Sequence, residues 1–157
     1  MTVAPILFLD FDGVTHPEVC TAPELFICLP RIEEVSLRHP LVDIVISSAW
    51  REYHPLAELQ QHFCPQLRPR VVGCTPLQRQ DPREPAMCHV REVECRAWLT
   101  ANRPDAAWLA IDDAPWLFST GCANLLLTNH AQGFTDEDAL RLDERLGLLL
   151  SGKPAPT

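Results

Sequence analysis

The chain reads as a doubly wound α/β protein, a mainly parallel sheet flanked by helices. Two observations predict this. Short apolar runs recur and each ends in a polar residue, and helical patterns with start or stop chemistry fill the gaps between them. Runs this short and this apolar suit strands buried on both faces.

The first run, Ile6-Leu7-Phe8-Leu9, ends in Asp10. Pro30 can take a first-turn position and predicts a helix over 31–38. Leu41-Val42-Asp43-Ile44-Val45-Ile46 is the next strand and ends in Ser47, and Pro55 opens a helix over 55–63. Arg70-Val71-Val72 is a candidate fifth strand, and the proline-rich stretch from Thr75 to Pro85 reads as a surface loop. Over 87–101, Val90, Val93, Ala97 and Trp98 form an apolar stripe on a helix that Pro104 closes. Trp108-Leu109-Ala110-Ile111 ends in Asp112, and Leu125-Leu126-Leu127 ends in Thr128. Thr135-Asp136-Glu137-Asp138 has capping-box form, and Leu140, Leu142, Leu146 and Leu149 carry a final helix. Residues 1–150 are expected to form one domain and 151–157 a loose tail, with no repeat or internal boundary.

At 157 residues, one core can bury roughly two-thirds of the unfolded chain's surface. The 46% hydrophobic and 22% charged content is that of an ordinary globular protein. The net charge is -8, and of the 13 basic residues only Lys153 is a lysine, so strong non-specific nucleic-acid binding is not expected. No apolar stretch approaches the roughly 20 residues of a membrane span. The opening MTVAPILFLDFDG has no basic leader, and a cytoplasmic protein is expected. The seven cysteines are scattered without a C-x-x-C pair, which argues against a disulfide framework and for buried or inert thiols.

In an open parallel sheet, ligands bind at the carboxyl ends of the strands, near the point where strand order reverses. Asp10, Ser47, Asp112 and Thr128 all fall at such ends, which predicts one acidic site. Asp10 and Asp12 flank Phe11 and precede Gly13, which suits a tight turn. Two carboxylates that close repel unless a cation or a shared proton intervenes. Hard oxygen ligands in this number suit Mg²⁺ together with a phosphate, and Asp112-Asp113 supply further acid.

The run Phe8-Leu9-Asp10-Phe11-Asp12-Gly13-Val14 resembles the D-x-D-G-[VT] first motif of the haloacid dehalogenase (HAD) superfamily. Ile46-Ser47 resembles the second motif, and Ile111-Asp112-Asp113 the acidic fourth in its paired-aspartate form. Ser47-Ser48-Ala49-Trp50-Arg51, the helix Arg91-x-x-Glu94-Cys95-x-x-Trp98-Leu99, and Thr128 with Gly133-Phe134-Thr135 are similar to the signature of a capless HAD subfamily, which includes domains fused in multidomain RNA repair proteins. The resemblance implies a Rossmann-like fold without a large cap, and a Mg²⁺-dependent phosphohydrolase. Asp10 would attack phosphorus and form an aspartyl-phosphate, and Asp12 would act as general acid and base. Mg²⁺ would be held by Asp10, the Asp12 carbonyl and Asp112, with Asp113 as ligand or orienter, while Ser47 would bind the phosphoryl oxygens.

The sequence departs from that pattern where a lysine usually balances the carboxylates. Arg91 is the candidate substitute, with Arg79, Arg83 and Arg96 as alternatives. Helix-face pairing of Arg91 with Glu92 or Glu94 is the plain reading of that residue, and His16 reads as a loop histidine. The short gaps between motifs leave an open site that admits a small phosphoester or a nucleic-acid end phosphate.

Three other functions compete. A phosphate-accepting signalling receiver would need a lysine at a late strand end, where Thr128 and Asn129 stand. A calcium loop of the EF-hand type fails because the glycine comes too early. A catalytically degenerate binding module is kept open by the missing lysine and opposed by retention of both Asp10 and Asp12.

Overall fold

A computed structural model of the chain describes residues 3–79 and 81–152. Five strands form one all-parallel sheet: β1 (Ile6–Leu9), β2 (Asp43–Ile46), β3 (Val71–Cys74), β4 (Trp108–Asp112) and β5 (Leu125–Leu127), in the order β3-β2-β1-β4-β5. The helices are α1 (Leu29–Arg38), the short α2 (Leu56–Leu59), α3 (Val90–Asn102) and α4 (Asp136–Ser151). The expected Rossmann-like architecture is present, and no cap domain is inserted among the described residues.

Alternation along each strand divides the core in two. Leu7, Leu9, Ile44, Ile46, Leu109, Ile111 and Leu126 face Leu29, Ile32 and Val35 of α1, Leu59 of α2, and Leu142 and Leu146 of α4. Ile6, Phe8, Val45, Trp108 and Ala110 face Cys95, Trp98 and Leu99 of α3. Both faces of β1 are thus covered, as a run of four fully buried apolar residues requires.

Three local expectations differ from the structure. The buried face of α3 is Glu92, Glu94, Cys95, Trp98 and Leu99, while Val93 is exposed, because the two glutamates bury their carboxylates against arginines and backbone N–H groups. The expected 55–63 helix is only α2 followed by a 3₁₀ turn over Gln60–His62. Helix α4 runs through Ser151 to a left-handed Gly152, past the expected boundary at residue 150, and the rest of the expected tail, 153–157, lies outside the described residues. The Thr135 cap of α4 is as expected, with its hydroxyl accepting from the Asp138 N–H while Asp138 accepts from the Thr135 N–H.

The chain order reverses between β1 and β4. Asp10 follows β1, Ser47 follows β2, Asp112 ends β4, Thr75 follows β3 and Thr128 follows β5, so five polar residues stand at one edge of the sheet. No helix among the described residues is long and apolar enough to cross a membrane.

Candidate active site

The register of β1 places Leu9 beside Ile46 on one side and Ile111 on the other, so Asp10 stands between Ser47 and Asp112. Asp10 and Asp112 are buried, Asp113 is half-buried, and one carboxylate oxygen of each lies within 4.8 Å of the others. Gly13 makes this approach possible. It adopts φ +73°, and a Cβ there would stand 2.1 Å from Asp113 Oδ2. The Gly13 carbonyl accepts from Thr128 Oγ1 at 2.8 Å, and the Val14 carbonyl accepts from the Phe134 N–H at 2.8 Å. The segment 128–134 therefore braces the loop that carries Asp12 and Gly13.

Burial pushes Asp10 up to about 6, against the opposing pull of Arg91 and the Phe11 N–H. Burial and then the Asp10 charge push Asp112 up to about 8. These two carboxyls titrate as a pair, and without a cation the pair holds a proton where an isolated aspartate has lost it. Burial also raises Asp113. Asp112 Oδ2 has no hydrogen-bond partner among the described residues. A hard divalent cation fits this set, because three carboxylates converge, one oxygen is orphaned, and all the donors are oxygen.

Arg91, the second residue of α3, reaches the same place. Its Nη1 lies 4.0 Å from Asp10 Oδ1, its Nε 3.9 Å from Asp112 Oδ2 and 3.9 Å from Glu94 Oε2, and neither nitrogen has a hydrogen-bond partner among the described residues. Two of the other candidate arginines stand elsewhere, while Arg79 lines the same cleft as Arg91. Arg83 pairs with Asp81 on the surface, Arg96 pairs with Glu92 and covers Trp108, and Arg79 is exposed. Helix-face pairing accounts for Arg91 only in part: Glu92 is taken by Arg96, and Glu94, 3.9 Å from Arg91 Nε, has its shorter partner in Arg51 at 2.7 Å.

Asp12 points to the other side of the loop. Its carboxylate accepts from His16 Nε2 at 2.9 Å and from Trp50 Nε1 at 3.1 Å. The Phe26 N–H lies 3.3 Å from His16 Nδ1, which makes Nδ1 the acceptor and assigns the ring proton to Nε2. These bonds, that of His16 first, hold Asp12 below the usual carboxylate range. Phe26 takes up φ 62°, a left-handed conformation rare for an aromatic residue.

Several contacts of the candidate site escaped the sequence reading. His16 is a buried partner of Asp12 rather than a loop histidine. Trp50 touches the same carboxylate, whereas Trp98 and Trp108 pack in the core. Arg51, expected only as part of a motif, donates to the carbonyls of Ser47, Ser48 and Thr75 and to Glu94, and so ties the ends of β2 and β3 to α3. Thr75 has a buried hydroxyl without a partner among the described residues. Only its place at a strand end could have signalled it.

Residues 6–139 match the family described as the HAD domain in Swiss Army Knife RNA repair proteins. No curated protein and no solved structure matches the chain.

Proposed function

The chain belongs to the family of HAD domains found in Swiss Army Knife RNA repair proteins, and from that membership and the site's geometry we propose that it is a Mg²⁺-dependent phosphohydrolase acting on phosphomonoesters. One observation carries the reading. Oxygens of Asp10, Asp112 and Asp113 converge within 4.8 Å beside an arginine whose Nε and Nη1 have no hydrogen-bond partner among the described residues.

Asp10 is the nucleophile. Its carboxylate oxygen attacks phosphorus, the bond from phosphorus to the ester oxygen breaks, and an aspartyl-phosphate forms. Asp12 gives its proton to the departing oxygen. It then takes a proton from water as that water attacks the aspartyl-phosphate, which releases inorganic phosphate and restores Asp10. His16 and Trp50 hold Asp12 ionised in the free protein, and an incoming phosphate dianion opposes them and favours the protonated acid. Ser47 and Arg91 bind the phosphoryl oxygens, Arg91 with its planar fork in the place of the usual lysine. Mg²⁺, held by Asp10, Asp112, Asp113 and the Asp12 carbonyl, would neutralise charge on the transferring group.

The test is phosphate release from p-nitrophenyl phosphate with and without Mg²⁺, for the wild type and Asp10→Asn under matched folding checks. Metal-dependent turnover that Asp10→Asn abolishes is expected. Equal turnover in both proteins would contradict the assignment of Asp10, and none in either would favour a binding module.

A further inference from the structure

Beside Asp12 lies a cleft of about 280 Å³ whose walls are Asp12, Ala49, Trp50, Tyr53 and His54. Resting on the hydrolase reading above, we propose that this cleft is a leaving-group subsite that stacks a flat aromatic ring. The preferred substrates are then phosphomonoesters of nucleosides or aryl alcohols, not of aliphatic alcohols.

The position of the acid sets the direction of departure. Asp12 both protonates the leaving oxygen and forms one wall of the cleft, so the group attached to that oxygen leaves along Trp50, Tyr53 and His54. The Trp50 indole is fixed before any ligand arrives. Its N–H is bound to Asp12, and edge contacts hold it against Phe26 with centroids 5.3 Å apart, Phe11 at 5.8 Å and His62 at 5.9 Å. The His54 ring stands 5.6 Å from that of Trp50 at an interplanar angle of 32°, and is anchored by Glu58 at 3.2 Å. Tyr53 is 80% exposed, which leaves its phenol ring open to a ligand.

Three rings, one of them rigidly preset, suit a π-face that stacks, because stacking needs a flat partner and little else. Among the described residues no lysine or arginine lines the cleft, so no permanent cation there holds a second phosphate. With the net charge of -8, this favours a single nucleoside or aryl group over a polyanionic strand.

The experiment compares kcat/KM for 5′-AMP, 3′-AMP, phenyl phosphate and glycerol 2-phosphate in the presence of Mg²⁺, for the wild type, Tyr53→Ala and Tyr53→Phe. The wild type is expected to favour the ring-bearing esters by about tenfold or more. Tyr53→Ala should reduce that ratio, chiefly through KM, and Tyr53→Phe should keep it. Preference for the nucleotides over phenyl phosphate identifies a nucleoside, and the reverse identifies an aryl alcohol. Turnover without any ring preference, or a ratio that Tyr53→Ala leaves intact, overturns the subsite while the hydrolase reading stands. Absence of turnover on all four esters and on p-nitrophenyl phosphate overturns both.

Discussion

Arg91 Nε lies 3.9 Å from Asp112 Oδ2, and both atoms are buried without a hydrogen-bond partner among the described residues. An unmet buried polar group costs about 1–3 kcal/mol. The fold keeps a donor and an acceptor facing each other just beyond bonding distance, at the reversal point of the sheet. A cation on the carboxylate side and phosphate oxygens on the guanidinium side would relieve both.

Arg91→Ala removes the only cation this close to Asp10 and Asp112 among the described residues. It is expected to lower kcat/KM about a hundredfold or more, in line with the loss of one transition-state donor. Arg91→Lys should recover part of the loss, because it restores the charge without the fork. Steady-state phosphate release at saturating Mg²⁺ measures both.

Without metal, the raised carboxyls make stability depend on pH. The folded pair holds protons that the unfolded chain releases from about 3.8, so the pair's own contribution to stability is greatest below that value. It falls as pH rises through about 6 and about 8, where the pair ionises. Melting temperature in EDTA should therefore drop between about pH 5 and pH 9, and Asp112→Asn should flatten the slope. Mg²⁺ should raise the melting temperature more at the alkaline end, where the carboxylates are free to bind it.

Gly13→Ala combines a left-handed φ with a Cβ at 2.1 Å from Asp113 Oδ2. The Asp113 carboxylate must move, so weaker Mg²⁺ binding is expected. A metal titration should show the half-saturating Mg²⁺ concentration rising about tenfold, an effect of the size seen when groups supporting a metal are displaced. A titration unchanged from wild type would remove Asp113 from the cation site.

Arg51 and Glu94 form an ion pair in which the side chains are 4% and 7% exposed. Arg51→Met leaves Glu94 buried with a lost partner and frees the carbonyls of Ser47, Ser48 and Thr75. A loss of about 3–5 kcal/mol of stability is expected in urea unfolding. Because the ends of β2 and β3 are no longer tied to α3, activity should fall further than the folded fraction does.

Four strands were legible because each is a short apolar run closed by a polar residue, whereas β3, read only as the candidate Arg70-Val71-Val72, starts at Val71 and runs on through Gly73 to Cys74. Asp10, Asp12, Asp112 and Asp113 were legible for the same reason, as acids at strand ends. The stripe on α3 was misread because Glu92 and Glu94 are polar residues on a buried face, where arginine and backbone partners replace apolar packing. His16 and Trp50 could not be read as partners of Asp12. His16 owes its role to the left-handed Phe26 that turns an N–H toward its ring, and Trp50 arrives from 38 positions along the chain. Arg91 was reached in the sequence by eliminating lysine, while its place between two carboxylates comes from the packing of α3 on β1 and β4.

The most direct test of the account is to trap the covalent intermediate. Wild-type protein with Mg²⁺ and a phosphomonoester is quenched in acid during turnover, and the protein and its peptides are weighed by mass spectrometry. The expected result is the added mass of one phosphoryl group on the peptide bearing Asp10 and none in Asp10→Asn; with p-nitrophenyl phosphate, whose phenolate departs without needing a proton, Asp12→Asn should accumulate more of it, because hydrolysis of the intermediate lacks its base. Turnover with no phosphoryl group on that peptide in either the wild type or Asp12→Asn, or with the group on another residue, would contradict Asp10 as the nucleophile.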